Sequence, residues 1–298
     1  MIRIGIIGLS EGNGHPFSFS AIANGYDDAA FARAGWPVIR DYLRVRPPAD
    51  FGIGDARVTH AWTQDPELTR RLCAACAIAN PCATPEEMAT GVDAVIVARD
   101  DWQTHRAFAA PFLERGLPVL VDKPLSLRAE ELAWFAPHLR AGRLMSTSGL
   151  RYARELDPLR APRDAWPVGE PRLVNATVLN DLARYGVHML DALGGIGLAP
   201  GRDPAISRLD LQHEAVVIRP REGPPVVLNC LGAVAKTFRI DLFGSDGHMH
   251  FDLHDNFSAF RRLLATFVTM VETREPPIDP EETLAILGLI ADATAAAR

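Results

Sequence analysis

The opening segment constrains this chain more than any other. Residues 2–8 (IRIGIIG) form a nearly all-apolar, largely β-branched run. Such continuity suits a strand covered on both faces, as in a parallel sheet. A turn rich in Gly and Ser follows over residues 9–15, then a helix-like segment around 17–24. Strand, glycine turn and helix open a βαβ unit.

The same pattern recurs. Residues 56–63 (ARVTHAWT), 93–98 (DAVIVA) and 117–121 (LPVLV) read as strands, with helices over 66–79 and 104–115 between them. This alternation predicts a doubly wound parallel sheet of Rossmann type. A long insertion rich in Pro and aromatics, about 25–55, interrupts it, and excursions of that length are often functional or form interfaces. After about residue 126 the pattern changes. One more helix is expected over 130–141. Alternating strands follow over 172–179, 205–212, 215–219, 226–231, 239–243 and 248–253, with no helices between most of them. They suggest a mostly antiparallel open sheet, closed by helices over 257–272 and 280–297. At 298 residues two domains are expected: a dinucleotide-binding domain over 1–123 and an α+β substrate and oligomerisation domain over 124–298.

Charge narrows the partners. The net charge is −6 and no block of Lys or Arg stands out, which argues against a nucleic-acid or anionic-membrane surface. No apolar run reaches the ~18–20 residues needed to span a bilayer. The N-terminus runs into a strand pattern without a charged leader, so a cytoplasmic protein is expected. Cys73 and Cys76 make a CxxC on a helical stretch; buried free thiols are the favoured reading, with a metal or redox site as the alternative. No metal is expected.

A parallel sheet binds its ligand outside the carboxyl ends of the strands. In the first turn Gly8 fits the tight-turn glycine of a GxGxxG fingerprint, Ser10 stands where the second glycine would be, and Gly12 and Gly14 follow at shifted spacing. The bland alternative is a glycine-rich connection that binds nothing. The cofactor-binding set is Gly8, Ser10, Gly12, Asn13, Gly14 and His15 in the turn, with Thr63, Arg99 and Asp122 at later strand ends. An acid usually ends the second strand of an NAD site. Here Thr63 or Gln64 holds that place and Asp65, before Pro66, reads as a helix cap, so NAD and NADP both stay open.

Asp122-Lys123-Pro124 closes the fourth expected strand. A lysine there can donate to a carbonyl oxygen or help deprotonate a hydroxyl; the plain alternative is a strand-end lysine paired with a carboxylate. Further on, His188 and Asp191 lie three apart in a helix-like segment, hence on one face. That spacing lets a carboxylate orient an imidazole suited to proton transfer.

Together these features resemble the Gfo/Idh/MocA family of NAD(P)-dependent oxidoreductases over nearly the whole chain. The family's opening strand and turn are matched by residues 4–8, and its Glu-Lys-Pro motif by Asp122-Lys123-Pro124. Its "DAV-A … H … LE-GK-V" stretch is similar to 93–98, His105 and 113–119. Its Arg-aromatic step is echoed by Arg151-Tyr152, and its Gly-x-His-x-x-Asp motif by Gly186, His188 and Asp191. The resemblance implies NAD or NADP as cofactor and a sugar, polyol or sugar derivative as substrate. It implies Lys123 and His188 as catalytic residues, Arg151, Tyr152, Arg184 and Asp191 as substrate-binding residues, and a homo-oligomer, dimer or tetramer. Three departures stand out: Ser10 in the fingerprint, the polar Arg99-Asp100-Asp101 after the third expected strand, and Arg184 where many members carry aspartate. A cation at 184 suits an anionic substrate. The departures keep a second reading open, a catalytically silent dinucleotide- or sugar-binding regulatory protein, and a third in which transient oxidation serves epimerisation or glycoside cleavage.

Overall fold

The computed structural model describes residues 1–209 and 211–295. The chain divides into two compact units. The first holds residues 1–126, 133–146 and 260–278; the second holds 127–132, 147–259 and the segment from 279 onward.

In the first unit the expected strands form. They are β1 (Ile2–Ile7), then β2 (Ala56–Trp62), β4 (Ala94–Val97) and β5 (Val119–Val121). Two short strands were not legible in the pattern, β3 (Asn80–Pro81) and β6 (Leu144–Met145). Two residues are too few to show a period. The sheet runs β3-β2-β1-β4-β5-β6 and every pairing in it is parallel. The order reverses between β1 and β4, the switch point beside which doubly wound folds bind ligands. Ile4, Ile6 and Ile7 are fully buried, as are Val95, Ile96 and Val97, so both faces of the central strands are covered. Helices α1 (His15–Asn24), α4 (Pro66–Ala75) and α5 (His105–Leu113) make the crossovers. The insertion folds as α2 (Asp28–Ala32) and α3 (Pro37–Arg44). Both cysteines of the CxxC are buried free thiols, and burial pushes the Cys73 thiol up to about 11, which makes it unreactive.

The helix α6 (Ala129–Arg140) begins in the second unit and ends in the first. The second unit is built on β7 (Pro171–Val178), β8 (Ala205–Leu209), β9 (Glu214–Arg219), β10 (Val226–Cys230), β11 (Phe238–Gly244) and β12 (His248–Asp252). Asp210, inside the strand expected over 205–212, lies outside the described residues. The order is β12-β11-β7-β10-β9-β8. Every pairing is antiparallel except β7 with β10, which is parallel. Alternation is clean: β10 buries Val226, Leu228 and Cys230 and leaves Val227 and Asn229 half-exposed. The helix α7 (Leu182–Gly194) packs on the buried face through Leu182, Val187, Met189 and Leu190, and α9 (Pro280–Ala295) packs on α7. The helix α8 (Asn256–Thr273) passes from the second unit into the first. The end of the helix expected over 280–297 lies outside the described residues. Among the described residues no helix is long and apolar enough to cross a membrane.

Candidate functional site

The first turn sits at the carboxyl end of β1. Gly8 lies against Pro16, so a Cβ there would enter the proline ring. Gly14 lies against the insertion, where a Cβ would stand 2.6 Å from the Trp36 ring. Gly12 has φ +75°, and a Cβ there would meet nothing within 4 Å. It alone of the three both needs a left-handed backbone and leaves open space in front of it.

Side chains from the next strand ends lock this turn. Ser10 Oγ donates to Asp100 Oδ1 at 2.6 Å and accepts from the Asp100 amide at 3.0 Å. Arg99, 9% exposed, donates to the Leu9 carbonyl at 2.9 Å and is held by Asp101 at 2.7–2.9 Å. Gln64 Oε1 accepts the Leu9 amide at 2.8 Å. Of the two residues expected to end the second strand, Gln64 reaches the turn. Thr63 is buried, and its hydroxyl is committed to Asp65 O and Thr69 Oγ1. Asp65 caps α4 by accepting from the Glu67 amide.

A second group forms between the start of α1 and the end of β5. Asp122 is 5% exposed. Its Oδ2 accepts from Asn13 Nδ2 at 2.9 Å and from His15 Nδ1 at 2.5 Å, and its Oδ1 accepts the Lys123 amide at 2.9 Å. Burial by itself would raise this carboxyl. The charge and hydrogen bond of His15, the charge of Lys123 and the Asn13 amide outweigh it and hold Asp122 well below the usual carboxylate range. Lys123 is itself 5% exposed and joined to Pro124 by a cis peptide. His105, fully buried, sits with its ring nitrogens 2.7 Å from Arg99 O and 3.0 Å from Leu125 O. It ties the loop after β4 to the loop after β5, and burial lowers its proton affinity.

The second unit assembles the other expected residues on α7. Asp181 caps the helix by accepting the Arg184 amide at 2.9 Å. Arg184, His188 and Asp191 then fall at i, i+4 and i+7 on one face; Arg184 is exposed, His188 half-buried and Asp191 buried. His188 Nδ1 lies 2.6 Å from Ser148 Oγ, and the Ser148 amide donates to Asp191 Oδ2 at 2.6 Å. Tyr185 and Phe238 stand edge-on to the His188 ring at 5.3 and 5.5 Å. Arg151 donates to Glu282 Oε1 at 2.6 Å and lies 3.8 Å from Asp191, so its guanidinium belongs to a part-buried ion pair. Tyr152, next to it, is half-buried. Burial, with a smaller push from Glu282, lifts Asp191 to about 6 against the pull of Arg151, the Ser148 amide and Thr147. Gln64 and Asp100 stood in segments the sequence singled out, whereas Ser148 carries its network without having been expected to; its trace in the sequence is its place three residues before the Arg151-Tyr152 step. A cavity of about 780 Å³ beside the start of α7 is lined by Asn180, Asp181, Arg208, His213 and Glu214 among others.

The strand order, the open space before Gly12 and the ten-residue α1 starting beyond it fit an extended anionic ligand such as a dinucleotide at the switch point, where the helix end favours phosphate. Among the described residues no cluster of three metal-ligating side chains occurs.

Residues 2–140 match the family model described as an oxidoreductase family with an NAD-binding Rossmann fold. Inositol 2-dehydrogenase 1 of Saccharopolyspora erythraea is 38% identical over 100 residues, 32% of this chain and 29% of that protein; the match thus spans under a third of the relative's length. Among solved structures, myo-inositol 2-dehydrogenase from Lactobacillus plantarum superposes with a TM-score of 0.75 at 14% identity, covering 99% of this chain and 97% of that one. Myo-inositol dehydrogenase from Lactobacillus casei, in complex with NAD(H) and myo-inositol, gives 0.71 at 13% identity over 98% and 93%. At those identities the likeness is one of fold. Residues 2–140, just under half of the chain, are thus similar to the Gfo/Idh/MocA oxidoreductase family in their model match, Rossmann strand order and glycine turn.

Proposed function

We propose that the protein is a nicotinamide-dinucleotide-dependent dehydrogenase or reductase acting on a CH–OH or carbonyl carbon of a sugar, polyol or sugar derivative. Lys123 carries this reading: a buried lysine at the carboxyl end of a Rossmann strand, beside a carboxylate held ionised. The names of the relatives, inositol dehydrogenases, support a cyclic polyol as the first substrate to try. The turn residues Gly8, Ser10, Gly12, Asn13 and Gly14 would hold the dinucleotide. When bound, that cofactor takes up the hydrogen and electron pair that leave the carbon, and the hydroxyl proton is left to the protein.

Lys123 is assigned to the substrate oxygen, donating a hydrogen bond to it and exchanging its proton. His188 is assigned a second proton-handling role, with Ser148 fixing its Nδ1 side and Asp191 poised near neutrality beside it. Arg184, exposed at the start of the same face, is assigned to substrate charge. Free cysteines, three of the four buried, support a reducing compartment such as the cytoplasm, and the half-exposed face of the second sheet supports a homo-oligomer. Lys123→Ala is expected to lower turnover of a polyol panel at least ~10²-fold while dinucleotide binding, followed by nicotinamide fluorescence, persists. Unchanged turnover in that variant would remove Lys123 from the mechanism.

A further inference from the structure

Asp122 and His15 form an arrangement that the role assigned to Lys123 does not use. They are 107 residues apart in the chain and meet at one hydrogen bond, His15 Nδ1 to Asp122 Oδ2. We propose that His15 is a second proton-exchanging residue of the first unit, with Asp122 as the positioning residue that orients it. This rests on the oxidoreductase reading above and names a new group within it.

The geometry sets the ring's chemistry. Asp122 is an acceptor on both oxygens, taking Asn13 and His15 on one and the Lys123 amide on the other. A carboxylate so occupied requires a proton on His15 Nδ1. The neutral ring therefore keeps its lone pair on Nε2, as in any carboxylate-oriented imidazole. The ring is also held in place. It stacks on Phe19 of α1 at 4.9 Å and meets Phe260 of α8 edge-on at 5.1 Å. Yet the side chain keeps 22% of its surface open, where a core histidine such as His105 keeps none.

The surrounding charges are few. Asp122 is the carboxylate in contact, and Lys123 acts on that same carboxylate. His105 lies beyond it with both ring nitrogens against carbonyls. The side packed by α8 is apolar through Phe260, whose neighbours Arg261 and Arg262 are exposed. The pair also bridges the two segments any ligand at this sheet edge must meet, the glycine turn and the Asp122-Lys123-Pro124 strand end. In the oxidation direction the substrate O–H bond breaks and its proton would pass through the Lys123 amine to Nε2, giving an imidazolium balanced by Asp122. The C–H hydrogen leaves with its electron pair to the bound dinucleotide. In reduction the same proton returns to the new hydroxyl.

A strut of the same shape would need only the hydrogen bond, and the test separates the two roles. His15→Gln keeps an N–H to offer Asp122 but cannot exchange a proton. It is expected to fold, to bind NAD(H), to lose at least ~10-fold in kcat, and to change the pH profile of kcat/KM. A Gln variant with the native rate and pH profile would make His15 a strut and overturn the proposal. Ring-¹⁵N NMR of the native protein reads the dyad without activity. Expected are an Nδ1-protonated neutral ring in the native protein and loss of that tautomer preference in Asp122→Asn. An Nε2-protonated neutral ring, or a tautomer indifferent to Asp122→Asn, overturns the proposal. If neither NAD(H) nor NADP(H) binds, the oxidoreductase reading is what fails, and the NMR result still decides whether the dyad exists.

Discussion

Asp122 and Asp191 are both buried carboxyls shifted in opposite directions, because donors outweigh burial at Asp122 and burial outweighs donors at Asp191. Asp122 takes three donors and is held ionised, so its folded-state affinity for protons lies below that of the unfolded chain. Its contribution to stability is therefore present above about pH 4 and is lost as the pH falls below that. Asp191 is raised from 3.8 to about 6 because burial outweighs its donors. The folded protein then binds that proton more tightly than the unfolded chain. Stability falls as pH rises from about 4 to 6, by on the order of 3 kcal/mol in total. Thermal unfolding across pH 3–8 should show this. Asp191→Asn should flatten the decline between pH 4 and 6, and Asp122→Asn should weaken the loss below pH 4. Equal slopes in native protein and Asp191→Asn would mean that the carboxyl is not desolvated as described. At this scale the sequence exposed the residue types and not their pairings. His15 and Asp122 were each named from local motifs, and nothing in either segment announces a bond across 107 residues.

The insertion between β1 and β2 has a visible task among the elements. Its helix α3 buries Ile39 and Leu43, sets Trp36 against Gly14, and places Tyr42 OH 2.5 Å from Ser18 Oγ on α1. It braces the turn and the helix that begin the proposed dinucleotide site. Leu43→Ala should cost about 2–5 kcal/mol, as for a fully buried leucine. Although far in sequence from residues 8–14, it should also weaken dinucleotide binding measured by titration. Unaltered binding in a destabilised variant would limit the insertion to packing. The elements themselves were readable where the pattern was long: β1, β2, β4 and β5 follow from β-branched apolar runs, and β7 to β12 from alternation broken by Gly and Pro. The strands β3 and β6 were not, because at two residues each they owe their existence to the neighbouring edge rather than to their own side chains.

For the whole molecule the expectation concerns ligand-linked stability. A dinucleotide that binds the folded chain alone, at 100 times its Kd, should add about 2.7 kcal/mol. The midpoint of thermal unfolding should rise with NAD(H) or with NADP(H), and the one producing the larger shift at equal concentration is the cofactor. No shift with either would argue against the site at Gly8–Gly14. The amino-acid order by itself determined the strand–turn–helix frame, the carboxyl edge at which a ligand can sit, and the candidate motifs around Lys123 and His188. These are local patterns, since apolar periodicity and turn chemistry act within a few residues of each other. Only the tertiary structure decided that Gln64 and not Thr63 reaches the glycine turn, that Arg151 belongs to an ion pair with Glu282, and that Ser148 holds His188. It likewise decided that His15 leans on Asp122. Hydrogen bonds and burial join residues that the chain keeps far apart, and their strength depends on what else fills the space around them.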